Sequence, residues 1–334
     1  MKECIRVGLL GAGTVGSGVL NVLEENTAEI EKKVGVPIKV AKILVRDIKK
    51  AKELAAKYQL TDKIEDIVED PQIDIVVELI GREHPAKEYI AAALEHQKNV
   101  VTANKDVLAK YGKELFPLAE ENKVDFMFEA SVGGGIPIIR PLNYSLTAEK
   151  IEAVNGILNG TTNYILSKME KEGADFDTVL KEAQDKGYAE RNPEADVEGY
   201  DACRKIAILS SLMFGKNVDS EKVPTEGITK ITAADFEYAN AAEYTIKLLG
   251  RSRAIDDDTA EVMVAPFMLP KDHPLAMVYG VFNAVFVTGN MLGDSMYYGR
   301  GAGKLPTASA VVSDVIDCAR HQGKVIMCYW DKEE

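Results

Sequence analysis

The chain has 334 residues, of which 46% are apolar and 28% charged, and its formal net charge is −13. This is the composition of an ordinary globular protein, long enough for two domains with sizeable cores. The acid excess excludes a protein whose main work is gripping nucleic acid or an anionic membrane, while leaving room for a local basic pocket that takes a phosphorylated ligand.

In chain order, Ile5–Leu10 is a short apolar run and predicts a strand, and Thr14–Glu25 predicts a helix. Gly8, Gly11, Gly13 and Gly16 interrupt this start and no small-residue cleavage site follows, which argues against a secretory signal. Lys39–Val45 is strand-like, Lys49–Tyr58 is a charged, Ala-rich helix, and Asp74–Ile80 is a buried strand. Pro85–Glu95 is a helix with proline in its first turn. Asn99–Thr102 (strand), Asp106–Asn122 (helix) and Val124–Glu129 (strand) complete an alternation that indicates βαβ units and a parallel sheet.

Past Gly133-Gly134-Gly135 the pattern changes. Pro137–Tyr144 predicts a helix, Ile151–Leu158 a strand, and Asn163–Glu172, Asp175–Lys186 and Glu198–Phe214 three helices. Glu261–Leu269, after an acidic turn at Asp256–Asp258, and Asn283–Thr288 are strand-like, so this half reads as α+β. Thr307–Arg320 is helical and is expected to pack back on the first domain, with Gly299–Gly303 as the crossing point. No apolar stretch reaches the ~18 residues of a membrane helix. Cys4, Cys203, Cys318 and Cys328 lack metal-type spacing and read as reduced thiols of a cytoplasmic protein.

Gly11-Ala12-Gly13-Thr14-Val15-Gly16 is a G-x-G-x-x-G placed directly after a strand and opening a helix, the context in which the pattern binds a dinucleotide. The first glycine permits the tight turn, the second lets backbone approach a pyrophosphate, and the third allows close helix–strand packing. The pyrophosphate would then lie on free N–H groups at the positive end of the helix. The second strand ends in Arg46-Asp47, with Lys49 and Lys50 following. Arg46, with Lys50 beside it, suits the 2′-phosphate of NADP, whereas Asp47 would suit the ribose hydroxyls of NAD; charge type favours NADP. Thr102-Ala103-Asn104-Lys105 follows another strand, so Thr102 and Lys105 fall at the carboxyl edge of the sheet where a cofactor crevice forms.

The segment Ala183–Lys205 (AQDKGYAERNPEADVEGYDACRK) holds six acids, among which Glu190, Asp196 and Asp201 stand out with Lys205. Asn192-Pro193 signals a turn and Asp196 is a plausible N-cap for the helix after it. Asp201 and Lys205, four apart, share a helix face, and Lys205 stands where a polar helix start enters an apolar run. Spacing alone leaves two readings open. One is a partly buried lysine of lowered pKa that exchanges protons near neutrality; the other is a surface ion pair contributing ~0.2–0.5 kcal/mol.

The whole segment, A-x3-G-Y-A-x2-N-P-x2-D-V-x-G-x-D-x3-K, resembles the signature of the homoserine dehydrogenase family, as do Gly156–Leu166, Glu129–Pro137 and Gly299–Asp314. One departure is Gly81-Arg82, where many members have two glycines. The resemblance covers nearly the full chain. It implies an α/β architecture: a Rossmann-type parallel-sheet dinucleotide-binding domain (1–136 with 304–334) and an α+β catalytic and dimerisation domain (137–303). The implied reaction is reversible reduction of L-aspartate 4-semialdehyde to L-homoserine with NADPH or NADH, a step in threonine, methionine and isoleucine biosynthesis. Lys205 matches the proton donor and Lys105 a second lysine beside the nicotinamide and the reacting oxygen, where a cation stabilises developing charge and two ammonium groups depress each other's pKa. Glu190 matches the receptor of the substrate ammonium. Asp196 and Asp201 match further acids of the pocket, Asp201 being grouped with the lysines as catalytic, and Thr161 and Tyr188 match pocket hydroxyls. Gly303 is counted with the cofactor residues. Glu129 and the carbonyls of Val132, Gly134 and Ile136 match a loop holding Na⁺, a hard cation suited to oxygen ligands. A homodimer or dimer of dimers, and no C-terminal regulatory domain, are also expected.

Two rivals remain to be weighed. An acylating semialdehyde dehydrogenase would need a cysteine nucleophile, and Cys203 is the one cysteine near the acidic segment. A dinucleotide sensor without turnover would need neither the paired lysines nor the acids.

Overall fold

A computed structural model describes residues 2–256 and 259–321. Cys328, the Asp257 and Asp258 part of the predicted acidic turn, and the stretch 322–334 lie outside the described residues. Of the described chain, Lys2–Gly135 and Gly303–His321 form one compact unit, and Ile136–Ala302 the other.

The first unit opens with β1 (Ile5–Leu10), α1 (Thr14–Glu25), α2 (Thr27–Val34) and β2 (Ile38–Leu44). It continues through α3 (Lys52–Ala55), β3 (Gln59–Thr61), α4 (Glu65–Val68), β4 (Ile75–Glu78), α5 (Ala86–Glu95), β5 (Asn99–Thr102), α6 (Lys105–Asn122) and β6 (Phe126–Met127). The strands form one parallel sheet in the order β3-β2-β1-β4-β5-β6. This is the doubly wound order of a dinucleotide-binding fold, with its switch point between β1 and β4. Central strands covered on both faces must be apolar throughout, and Val7, Leu9 and Leu10 of β1 and Ile75, Val76 and Val77 of β4 are all buried.

The second unit contains β7 (Ile151–Ile157), α7 (Gly160–Glu172), α8 (Phe176–Asp185), α9 (Glu194–Val197), α10 (Tyr200–Phe214) and α11 (Ala233–Ala241). Strands β8 (Tyr244–Ala254), β9 (Ala260–Pro270), β10 (Phe282–Gly289) and β11 (Gly293–Arg300) follow. Its antiparallel sheet runs β11-β10-β7-β8-β9, with α10 packed on β7, β8 and β9. The chain then returns to the first unit as α12 (Lys304–Arg320), whose Ala308, Val311, Val312, Val315 and Cys318 join the core of β1, α1 and β4. Gly18 of α1 makes this contact close: a Cβ there would stand 2.7 Å from the Lys304 carbonyl oxygen.

Several predicted elements differ. Lys49–Tyr58 is not one helix: Asp47 caps Lys49 N–H and tightens Ile48–Lys50 into a 3-10 turn, and Ala51 leaves helical geometry before α3. Pro137–Tyr144 gives only a short helical piece ending in a π-type turn, Pro141–Ser145. The cause is local: Pro141 has no N–H to continue an α-helix, and its carbonyl is taken by Leu146 N–H five residues on. Val124–Glu129 keeps only the two residues of β6 as strand, and Glu129–Ser131 turns into a 3-10 helix. Asp196 is not an N-cap; it lies inside α9, and Gly199 occupies the N-cap of α10.

One core residue runs against composition. Lys247 of β8 is fully buried; its Nζ donates to the Val278 carbonyl at 2.8 Å and stands 4.3 Å from the Tyr279 ring centre. Burial lowers its pKa from 10.5 to about 8, against the attraction of Glu170. The unfolded chain therefore holds this proton to higher pH than the folded one, so the lysine makes stability rise between pH 8 and 10.5 and leaves it flat below. The size is of order 3 kcal/mol, at about 1.4 kcal/mol per pH unit. In Lys247→Met this rise should vanish. Urea unfolding at pH 7.5 and pH 10 checks it, and an unchanged pH difference in the variant would sink it.

Candidate active site

In the first unit, the loops after β1 and β4 lie at the switch point. Gly11 has φ +94°, and its N–H donates to Leu44 O at 3.0 Å, closing the turn out of the sheet. A Cβ on Gly16 would collide with the Gly11 carbonyl, so helix and strand meet there without room for a methyl. Gly13 is the N-cap of α1; it offers no side chain, and nothing lies within 4 Å of where its Cβ would be. Ala12 lies in the turn, and Thr14, Val15 and Gly16 form the first turn of α1, which carries no acid and has N–H groups without intrahelical acceptors. This is a surface for an anion.

Past β2, Arg46 and Lys50 are exposed, while Asp47 spends its carboxylate on Lys49 N–H (3.0 Å) and on Lys50 Nζ (3.7 Å). At the ends of β4 and β5 lies a network that the sequence did not announce. Glu78 is fully buried; its carboxylate accepts from Thr102 Oγ1 (2.7 Å) and Ile80 N–H (2.7 Å). Burial pushes the Glu78 carboxyl pKa up, and these hydrogen bonds oppose that rise. Thr102 in turn accepts from Asn104 N–H, and Asn104 caps α6 while donating to the Arg82 carbonyl at 2.8 Å. Lys105 is therefore the first residue of a helix whose start is fixed by Asn104. Arg82, at the departure from the two-glycine pattern, holds φ +68°, a left-handed conformation glycine adopts more easily.

Glu129 is buried, and its N–H donates to Asp314 of α12 at 2.9 Å. Val132 is buried, Gly134 has φ +55°, and Gly303 is the N-cap of α12. Ile136 begins the second unit. Among the described residues no three His, Cys, Asp or Glu gather as a metal set.

In the second unit, Asp196, Asp201 and Lys205 come together around Asn159. Lys205 Nζ donates to Asp201 Oδ2 at 2.6 Å and to the Leu158 carbonyl at 2.8 Å. Its side chain is 12% exposed and that of Asp201 10%, so this is a largely buried pair held by a backbone acceptor as well, not a solvated surface ion pair. Asn159 Nδ2 donates to Asp196 Oδ1 (2.7 Å) and Asp201 Oδ2 (2.9 Å). Burial raises the Asp196 pKa and the nearby Asp201 charge adds to it, while the Asn159 and Thr161 hydrogen bonds and the Lys205 charge pull it down. Thr161, buried in the first turn of α7, donates to the Tyr188 carbonyl at 2.7 Å. The Tyr188 ring meets Tyr164 edge-on at 5.0 Å. Glu190 is exposed in the loop before α9, its carbonyl held by Gln184 Nε2. Two of the three N–H bonds of Lys205 are thus fixed, which aims the third, a geometry suited to handing a proton to one oxygen.

Cys203 faces the Ser220 carbonyl, and burial pushes its thiol pKa up, so it is poorly suited to the acylating reading. Cys4, Cys203 and Cys318 are free. Among the described residues no helix is long and apolar enough to cross a membrane.

Residues 137–316 match the family model described as homoserine dehydrogenase, and residues 11–129 match the model described as its NAD binding domain. The homoserine dehydrogenase of Bacillus subtilis is 48% identical over 315 residues, 94% of this chain and 72% of the relative. The chain belongs to the homoserine dehydrogenase family. It is accordingly of an oxidoreductase family, with a nicotinamide-dinucleotide domain at its start. The crystal structure of a homoserine dehydrogenase from Thiobacillus denitrificans, 49% identical, superposes with a TM-score of 0.92 over 96% of this chain and 74% of that one. A hyperthermophilic archaeal homoserine dehydrogenase solved in complex with NADPH superposes at 0.80, with 29% identity, over 94% of this chain and 97% of that one. Asn159 and Glu78 are the polar residues of these clusters that sequence reasoning missed. Each left a signal: an asparagine before Gly-Thr-Thr at a helix start, and a carboxylate inside an otherwise apolar strand.

Proposed function

We propose that this chain reversibly reduces L-aspartate 4-semialdehyde to L-homoserine, in threonine, methionine and isoleucine biosynthesis in the cytoplasm, with NADP favoured over NAD. The observation that carries the reading is the Lys205–Asp201–Asn159–Asp196 cluster in a member of this family. The bound dinucleotide supplies or accepts the hydride. In the reductive direction Lys205 gives a proton to the carbonyl oxygen as it becomes a hydroxyl, with Asp201 and the Leu158 carbonyl fixing Nζ. Lys105 stabilises the charge developing on that oxygen. Glu190 takes the substrate ammonium, and Asp196, Thr161 and Tyr188 line the pocket.

The α1 turn from Gly11 to Gly16 holds the pyrophosphate, Arg46 and Lys50 the 2′-phosphate, and Thr102, Lys105 and Gly303 the rest of the dinucleotide. Because Asp47 is already committed to Lys49 and Lys50, it is a weak partner for a ribose diol, which supports NADP. The NADPH complex of the archaeal relative points the same way. A structural Na⁺ site uses Glu129 with the carbonyls of Val132, Gly134 and Ile136; the buried carboxylate and left-handed glycines suit a hard cation. The division into domains at 136/137 and 303/304, and assembly as a homodimer or dimer of dimers, belong to the same proposal.

The test is initial-rate oxidation of L-homoserine, followed at the nicotinamide absorbance, with NADP⁺ and NAD⁺ in parallel. Turnover with both is expected, faster with NADP⁺. Arg46→Ala should raise KM for NADP⁺ about 10–100-fold, the range given by a charged hydrogen-bonding partner of ~1.5–3 kcal/mol, and leave KM for NAD⁺ within about twofold. Folded protein that binds dinucleotide but turns over no homoserine would overturn the proposal and favour a sensor.

A further inference from the structure

We infer that Asn159 is a positioning residue for proton transfer: its side-chain amide locks Asp196 and Asp201 into one arrangement around the ammonium of Lys205. The inference rests on the reading of Lys205 as proton donor.

The geometry leaves the amide no freedom. Asn159 is buried at the junction of β7 and α7, and its Oδ1 accepts from Thr162 N–H at 2.9 Å as the N-cap of α7. With the oxygen end committed to the helix, the nitrogen end points at the acids, and its two N–H bonds are divided between them, 2.7 Å to Asp196 and 2.9 Å to Asp201. Asp201 Oδ2 accepts from both Asn159 and Lys205, so one oxygen joins amide and ammonium. The residue just before Asn159 supplies the carbonyl that holds Lys205 from another side. Leu158 and Asn159 thus fix the lysine and its carboxylate together, and the same amide reaches across to α9.

The electrostatics give this clamp a task. The groups facing Asp196 are Asp201 and Lys205 on α10, with the neutral Asn159 and Thr161 on α7. Two carboxylates therefore stand close together beside Lys205, in a site largely shut from water. Two N–H donors placed on them favour the ionised forms and offset their repulsion.

A bland alternative is that Asn159 only caps α7. Serine and aspartate are both good N-caps, so Asn159→Ser and Asn159→Asp keep the cap while removing both amide donors, and Asn159→Asp adds a third acid. If Asn159 positions the acids, Asn159→Ser lowers kcat about tenfold or more with an unchanged dinucleotide KM. The acid limb of its kcat–pH profile moves up by about one unit, and further in Asn159→Asp. Carboxyl ¹³C titration of Asp196 should move in the same direction without any need for turnover. An Asn159→Ser enzyme with kcat within twofold of the parent, and with its acid limb and the Asp196 titration in place, would leave Asn159 as a cap and overturn the inference. A shifted Asp196 titration in Asn159→Ser, beside a parent protein that oxidises no homoserine, would overturn the proton-donor reading, and with it this role.

Discussion

Replacing Lys205 with alanine is expected to lower kcat for homoserine oxidation by about 10²–10⁴, the range associated with a positioned general acid or base. The expectation comes from how the ammonium is held. Asp201 and the Leu158 carbonyl fix two of its N–H directions, so a water entering the vacated volume would have neither the charge nor the aim. Asp201 would then lose the Lys205 ion pair while Asp196 stays close by, and a largely buried pair that loses one partner costs stability. For that reason kcat is to be read beside a thermal melt and a dinucleotide titration. A folded Lys205→Ala protein with unaltered dinucleotide affinity and a kcat within tenfold of the parent would remove Lys205 from the chemistry. Lys205→Arg should not rescue, since guanidinium does not give up its proton in this range.

The second large effect is expected at the first turn. A methyl on Gly16 runs into the Gly11 carbonyl, so Gly16→Ala must separate helix α1 from strand β1. Overpacking of this kind costs about 1–3 kcal/mol, and it displaces the N–H groups meant for the pyrophosphate. Both the melting temperature and NADPH affinity should fall, the latter at least tenfold. Gly13→Ala separates the two causes. Nothing lies within 4 Å of its Cβ position, so the fold should tolerate the methyl, yet the methyl occupies the approach of a pyrophosphate. Equal melting temperatures with weakened NADPH binding is the expected result for Gly13→Ala. Unimpaired binding in both variants would mean that the dinucleotide does not lie on this turn.

Much of this architecture was legible in the sequence where a single periodicity ruled. Strands β1 and β4 are apolar except for Arg6 and Glu78 because the sheet is covered on both faces, and Gly11 and Gly81 follow them. Helix α10 announces both its face and its lysine, because Asp201 and Lys205 are one turn apart on the same helix. Strand β11 was missed for the opposite reason. It is an edge strand with no fully buried residue, and Gly293, Asp294 and Gly299 dilute its alternation. Strand β8 is broken in pattern by Lys247, whose burial depends on a carbonyl and a ring supplied by Val278 and Tyr279, about thirty residues on. Asn159 and Glu78 were invisible as site components because their partners, Asp196, Asp201 and Thr102, are brought to them by the fold, not by local spacing.

Helix α12 carries a consequence for how the chain is made. Its Ala308, Val311, Val312, Val315 and Cys318 fill the core over β1 and α1, so the unit that is begun first is also the one finished last. On a ribosome adding about 5–20 residues per second, the segment from Ile136 to Ala302 is synthesised before α12, and roughly 10–40 s pass between the end of β6 and the addition of Arg320. During that interval the nascent dinucleotide sheet shows an apolar flank to the cell. Holding chaperones, or dinucleotide itself, should therefore matter most for folding of the discontinuous unit, while the inserted unit, continuous in sequence, is free to close on its own schedule.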